Sequence, residues 1–399
     1  MHTTKVLHQL LIHALPSIHS VRLDTLTAAV NSLVCGAKAS VTSLGRGLAG
    51  NAYGKHKIKR MDRLLSNPHL YQERFSIYSA ITEALVSNVP EPIIAIDWSP
   101  LCEDQSFQLL RAAIPVGGRS LTLYEEIHPR SKLGNRNVQH RFLDRLAAMM
   151  PDQCRPIIVA DSGFKTPFFR YLENSLEWHW VGRIRGRDFL SWKAHNTGWF
   201  GAKSLYSKAT TKAKTLGEVD WVKNNPLTAW IVLIRLPKKK RKTMTYGGKK
   251  RQAKRDKVHA SREKEPWLLV ASLSLQERSA RQVVKLYQTR MQIEESFRDC
   301  KATHYGLGLS QNRRMKENRR AMLCLLAALA LFLLWCIGMA GRKTNMAKQV
   351  RVNSSSKREP YSVIYLARLL IPLRKFRVSE TTIKESLKEI KPYMEAVLS

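Results

Sequence analysis

From residue 1 to about 90, apolar positions recur at helical spacing. "LDTLTAAVNSLV" is one such run, and "SVTSLGRGLAG", "NAYG" and "KHKIKRMDRLLSN" read in turn as helix, turn and helix. In the last of these, Ile58, Met61, Leu64 and Leu65 form an apolar stripe, with Lys55, Lys57, Lys59, Arg60 and Arg63 largely off it. Near residue 91 the pattern changes to short apolar runs. "EPIIAIDWS" ends in a carboxylate. "FQLLRAAIPVGGRSLTLYEEIHP" reads as two strands around Gly117-Gly118, a hairpin signal. "NVQHRFLDRLAAMMP" predicts an amphipathic helix, "RPIIVADSGF" a buried strand ending in Asp, "TPFFRYLENSL" a helix and "WHWVGRIRG" a strand.

These strands and helices predict an α/β fold, a mixed sheet with helices packed on it. Residues 187–276 interrupt it. "TAWIVLIRL" and "PWLLVASLSL" read as strands, and the Lys/Arg-rich run Pro237 to Glu263 between them reads as a mobile arm ordered by a phosphate backbone. Helical texture resumes at Arg278. The twenty uncharged residues Ala321 to Ala340 are long enough to span a membrane. Basic residues flank both sides, so no positive-inside asymmetry favours an anchor, and a helix buried all round in the core is the expected alternative.

Charge narrows the partner. The chain carries 67 Lys+Arg against 31 Asp+Glu, a formal net charge of +36 over 399 residues. The excess is spread along the sequence, which points to a polyanion and first to nucleic acid. The basic side of 55–63 then reads as a DNA-docking face, with Arg60 and Arg63 as contacts, the alternative being a solvated charged face. The six cysteines form no C-x-x-C pair and suit neither a zinc site nor a disulfide framework. They read as reduced thiols of a cytoplasmic protein. Histidines break the apolar N-terminal run, which is not a signal-peptide pattern.

The chemistry sits in a few carboxylates. Asp97 and Asp161 each close a short apolar run, which places them at a sheet edge where ligands bind in such folds. A third carboxylate from a nearby helix would complete an oxygen-donor site for divalent cations. "YQTRMQIEESFRDCK", Tyr287 to Lys301, can supply it. With Val283 at zero and 100° per residue, Tyr287, Arg290, Glu294 and Lys301 fall within about 60° of one another. Glu295 points roughly 100° from Glu294, so the adjacent pair is not an acid/base dyad. Without the two aspartates, the stripe would read equally as a helix face laced with ion pairs.

The spacing Tyr-x2-Arg-x3-Glu-x6-Lys resembles the signature of the DDE transposases of bacterial insertion sequences. These include the enzymes of the tetracycline- and kanamycin-resistance composite transposons, and the tetracycline type is the nearer. The resemblance extends to "IDWS" (96–99), "GRSLTLYE" (118–125), "DSGFK" (161–165), "GRIRG" (182–186), "KEPWLL" (264–269) and "YGLGL" (305–309). It is weakest in the basic arm and after about 345.

The resemblance implies a ribonuclease-H-like catalytic core interrupted by a β-rich insertion, with a helical N-terminal DNA-binding domain. The expected divisions are 1–90 for DNA binding, 91–186 and 277–345 for the two parts of the core, 187–276 for the insertion with its basic arm, and 346–399 for a C-terminal helical region, a candidate for dimerisation. Asp97, Asp161 and Glu294 would be catalytic and hold two Mg²⁺ ions, Mn²⁺ being able to substitute. Tyr287, Arg290 and Lys301 would contact DNA near the cut, and Arg183 aligns with a DNA-contacting arginine. Trp267 aligns with a base-stacking tryptophan, though a strand-core Trp would read the same. The implied reaction is cut-and-paste transposition, by nicking, hairpin formation and resolution, and strand transfer. The implied partners are terminal inverted repeats and target DNA, a second copy of the chain in the synaptic complex, and no membrane. The implied location is the bacterial nucleoid.

Three other readings remain at this stage, one of them a membrane-anchored basic protein resting on residues 321–340. A ribonuclease-H-like nuclease without strand transfer needs the carboxylates but not the helical Tyr-Arg-Glu-Lys set. A non-enzymatic DNA-binding protein needs the basic helices but no triad.

Overall fold

The computed structural model describes residues 2–194, 198–237, 265–312, 315–344, 346–352, 359–373, 375–376 and 378–399. Past Pro237, the predicted basic arm lies outside them. In chain order the helices and strands are α1 (His2–Ala14), α2 (Ser20–Val34), α3 (Val41–Arg46), α4 (Gly54–Leu65), α5 (Pro68–Val86), β1 (Ile93–Pro100), β2 (Phe107–Pro115), β3 (Ser120–Pro129), α6 (Arg136–Ala147), β4 (Ile157–Ala160), α7 (Thr166–Asn174), β5 (His179–Ile184), β6 (Phe189–Trp192), β7 (Phe200–Gly201), β8 (Lys214–Trp221), β9 (Leu227–Ile234), β10 (Trp267–Ala271), α8 (Ala280–Thr289), α9 (Met291–Lys301), α10 (Glu317–Lys343), α11 (Met346–Gln349), α12 (Val363–Leu370), α13 (Glu380–Lys388) and α14 (Ile390–Leu398). The fold is mixed α/β, divided into two compact units: Met1–Pro156 with Arg290–Ala396, and Ile157–Thr289 with Val397–Ser399.

In the first unit, β1, β2 and β3 form an antiparallel meander. The β2–β3 turn is closed by Val116 N–H donating to the Arg119 carbonyl, 2.7 Å. Gly117 and Gly118 sit at φ +83° and +86°. Two successive positive φ values make the twist that a tight hairpin needs, and glycine adopts them without a Cβ clash. The core of this unit is α10. Every side chain from Ala321 to Ile337 is buried, and α2, α12, α13 and β3 pack against it. The apolar run is therefore a core helix of the protein. Around it, α4 turns Met61, Leu64 and Leu65 inward and leaves Lys55, Lys59, Arg60 and Arg63 exposed.

In the second unit, β4 and β5 are parallel, and β5, β10, β9 and β8 continue antiparallel, with β6 and β7 beyond. Helix α8 packs against β4, β5, β9 and β10. One expectation changes. The segment read as a single helical rod from 283 to 301 is two helices, α8 and α9, broken at Arg290. Thr289 returns its hydroxyl to the Leu286 carbonyl at 2.7 Å, a back-bond that loosens the helical ladder there. The break coincides with the passage from one unit to the other.

Candidate active site

Ile93, Ile94, Ala95 and Ile96 are fully buried, and the strand reaches half-buried Asp97 where it nears solvent. Pairing in the meander aligns Asp97 with Arg111 and Arg111 with Glu125, so one charged row crosses all three strands. Helix α9 covers this row with one stripe of its surface. Arg290, at its N-cap, donates from Nη1 to Asp97 Oδ2 at 3.1 Å and from Nη2 to Glu294 Oε1 at 2.6 Å. A single guanidinium thus bridges the two carboxylates. Two turns beyond Glu294, Lys301 Nζ donates to Ser99 Oγ and to the Pro100 carbonyl. Burial, and then the neighbouring Arg111, pull the Lys301 ammonium down from its ordinary range. Phe297 lies between two cations, with the Arg111 guanidinium 4.8 Å and the Lys301 ammonium 5.1 Å from its ring centre.

A second stripe of α9 holds the helix to the β2–β3 turn. Gln292 Oε1 accepts from the backbone N–H of Val116 (3.2 Å) and Gly118 (3.0 Å). Ser296 Oγ accepts from Ser120 N–H at 2.8 Å and donates to the Ser120 carbonyl at 2.7 Å. Asp299 accepts from Arg119 Nε. Residues 292, 296 and 299 share one helical face, so α9 is fixed on two sides. Sequence reasoning missed this second stripe, as it missed Arg111 and Glu125. The latter two left a signal, charges at unusual places in "LLRAAI" and "LYEEI". The two adjacent glutamates do look different ways: Glu295 pairs with Arg298 at 2.9 Å, not with Arg290.

The remaining candidates belong to the second unit. Asp161 follows β4, and its Oδ1 accepts from Gly163 N–H at 2.7 Å. Tyr287 is buried, its ring edge-on to Trp267 at 5.0 Å between centres. The Arg183 guanidinium stands 5.7 Å from the Trp267 ring centre, and burial lowers its pKa from the ordinary range. Trp267 is half-buried at the start of β10. Arg60, in the first unit, donates to Thr25 Oγ1 at 3.0 Å, while Arg63 is exposed.

Chemically, Asp97, Glu294 and Asp161 are hard oxygen donors, the type that Mg²⁺ and Mn²⁺ take. In the first unit the charge such an ion would neutralise is met by Arg290. Among the described residues, no three His, Cys, Asp or Glu side chains are gathered into a cation-holding group.

Compared with known proteins, residues 89–333 match the family described as "Transposase DDE domain". No curated protein matches the chain. A cryo-EM structure of a piggyBac transposase synaptic complex with hairpin DNA is similar over 95% of this chain and 76% of that one, at 11% identity and a TM-score of 0.39, a likeness too slight to argue from.

Proposed function

This chain belongs to the transposase DDE domain family, and we propose that it moves an insertion sequence by cut-and-paste transposition, in the manner of the tetracycline-transposon type. The observation that carries this reading is the guanidinium of Arg290 bridging Asp97 and Glu294, on a chain of net charge +36. Within the reading, the core is ribonuclease-H-like, 187–276 is its insertion, 1–90 recognises the element ends through Arg60 and Arg63, and 346–399 serves the dimeric synapse in the cytoplasm.

Asp97, Asp161 and Glu294 would hold two Mg²⁺ ions. When bound, such ions activate the attacking oxygen and stabilise the leaving one. The chain's own residues supply positioning. The two stripes of α9 fix Glu294 against β1. Arg290 gathers the two carboxylates by donating to both, and its planar fork of donors is the type that would also suit a DNA phosphate. Lys301, held at Ser99, offers a second phosphate contact, and Tyr287 and Arg183 flank the Trp267 ring. That ring is the platform for an extruded base during hairpin closure.

The test is a denaturing gel of cleavage on a duplex carrying the inverted repeat that flanks the gene. Expected are Mg²⁺-dependent nicking, then hairpin, then joining to a target plasmid. Nicking without joining would leave a nuclease. Binding without nicking would leave a DNA-binding protein.

A further inference from the structure

The loop that leaves α9 carries an aromatic ring to which no step above gives work. Tyr305 follows Lys301 by four residues, and its side chain is 82% exposed. A single exposed tyrosine is ordinary on a protein surface. What sets this one apart is its root. Lys38 Nζ donates to the carbonyls of His304 (3.3 Å) and Gly306 (2.9 Å). Arg368, from α12, donates to the carbonyl of Tyr305 itself. The Leu307 carbonyl accepts from Ala39 N–H at 2.7 Å, and Leu307 N–H donates back to the Asp299 carbonyl at 2.8 Å. Four consecutive carbonyls are therefore tied to two other parts of the unit. Gly306 passes so close to α9 that a Cβ there would lie 2.5 Å from the Asp299 carbonyl oxygen. Gly306 to Leu309 are buried while His304 and Tyr305 stay outside.

The tip is thus an exposed aromatic on a fixed backbone, above a cationic base. Lys38 and Arg368 converge beneath it, and Arg298, 69% exposed, projects from the last turn of α9. With the backbone already held, stacking would order only the two side-chain torsions of the ring, and every nucleobase offers it a π face. We propose that Tyr305 is a DNA-stacking residue that takes an unpaired base of the strand lying along α9, with Lys38, Arg298 and Arg368 supplying the positive field for its phosphates. The proposal rests on the reading that DNA lies over Glu294 and Lys301.

It can be tested without cleavage. Fluorescence anisotropy would give the affinity of the full chain for a short single-stranded oligonucleotide and for a blunt duplex of the same sequence. Tyr305→Ala is expected to weaken strand binding by about 5- to 150-fold. Tyr305→Phe should stay close to wild type, because the ring remains. The duplex should respond far less, and the salt dependence of strand binding should keep its slope, because no charge is removed. Thermal melting of Tyr305→Ala should match wild type. Equal losses on strand and duplex, a loss in Tyr305→Phe as large as in Tyr305→Ala, or no loss at all would overturn the stacking role. Failure of the wild-type chain to nick its own ends would overturn the transposase reading instead, and would leave this measurement intact.

Discussion

Two arginine–carboxylate clusters lie against the same meander. In one, Arg111 bonds Glu125 at 2.7 Å with the side chains 0% and 1% exposed, and Tyr78 donates its hydroxyl to the same carboxylate. In the other, Arg290 bridges Asp97 and Glu294, at 10%, 14% and 45% exposure. The groups are alike and the solvent access is not. A sealed pair cannot exchange its partner without exposing a bare charge to a low-dielectric interior. A pair that opens to solvent can pass its carboxylates to a stronger cation and release its guanidinium. The first cluster backs α9 through Arg111 against Cys300 and Phe297, and under the proposed function the second is where the reaction would be run.

The largest effect expected from this contrast is on cleavage. Asp97→Asn or Glu294→Gln should lower the nicking rate on the order of 10⁴-fold or more, the scale of losing a group at the reacting centre. Asp161→Asn should do the same. Melting temperatures and end-binding should stay near wild type. Nicking that survives any of the three would remove that residue from the site.

The sealed cluster should respond the other way. Glu125→Leu leaves the Arg111 guanidinium buried without its partner, at a cost of about 3–5 kcal/mol in urea unfolding. The double variant Arg111→Met with Glu125→Leu removes both charges and should recover most of the loss. A double variant no more stable than the single would mean that Arg111 acts on its own through Phe297 and through Cys300, whose Sγ its Nη2 meets at 3.4 Å.

Much of the open cluster was legible in the sequence. An apolar run must end somewhere, and a carboxylate at its end marks where it meets water, so Asp97 could be placed from "IIAI" alone. The 100° step was enough to separate Glu294 from Glu295. Gly117-Gly118 announced the hairpin, and the absence of charge in 321–340 left a spanning helix or one buried all round, with the latter favoured. What failed to show depends on partners far along the chain. Gln292, Ser296 and Asp299 look like any polar face until the β2–β3 turn is brought to them from 176 to 180 positions away. The break at Arg290 is a loss of hydrogen bonding with helical dihedrals retained, φ −53° and ψ −33°, and no helix-breaking residue marks it. The compact units part at 156/157 and 289/290, whereas composition shifts near 186 and 276. The reason is that β10 pairs with β5, joining stretches separated by a polar run.

Glu126 is an intermediate case. Its side chain is 11% exposed and accepts from His128 (2.8 Å), Tyr124 (2.7 Å) and Arg145. Burial alone would raise its pKa, but those three donors outweigh burial and hold it at about 2, below the ordinary 4.5. A carboxylate depressed in the folded state adds stability that is complete above pH 4.5 and is lost as the pH falls toward 2. The gap is worth about 3 kcal/mol. Glu126→Gln should therefore be less stable than wild type at pH 6 and should converge with it by pH 2. Parallel stability curves over that range would mean that the three donors favour neither protonation state.

The smallest effect should come from Glu295, the neighbour of Glu294. Its carboxylate is 35% exposed, and its partners are Arg298, 69% exposed and three residues away, and Arg119 at 3.8 Å. Exposed pairs of this kind contribute about 0–1 kcal/mol, because water screens the attraction and two long side chains must be ordered to make it. Arg119 keeps its shorter bond to Asp299, so the β2–β3 turn remains fastened to α9 without Glu295. Glu295→Ala should consequently unfold within about 1 kcal/mol of wild type and nick at a near-normal rate. The outcome that would break the comparison is a stable Glu295→Ala protein that cannot nick while Glu294→Ala can. The acidic ligand would then lie on the α9 face that looks away from Asp97, and the bridge made by Arg290 would be an ordinary helix-to-strand contact.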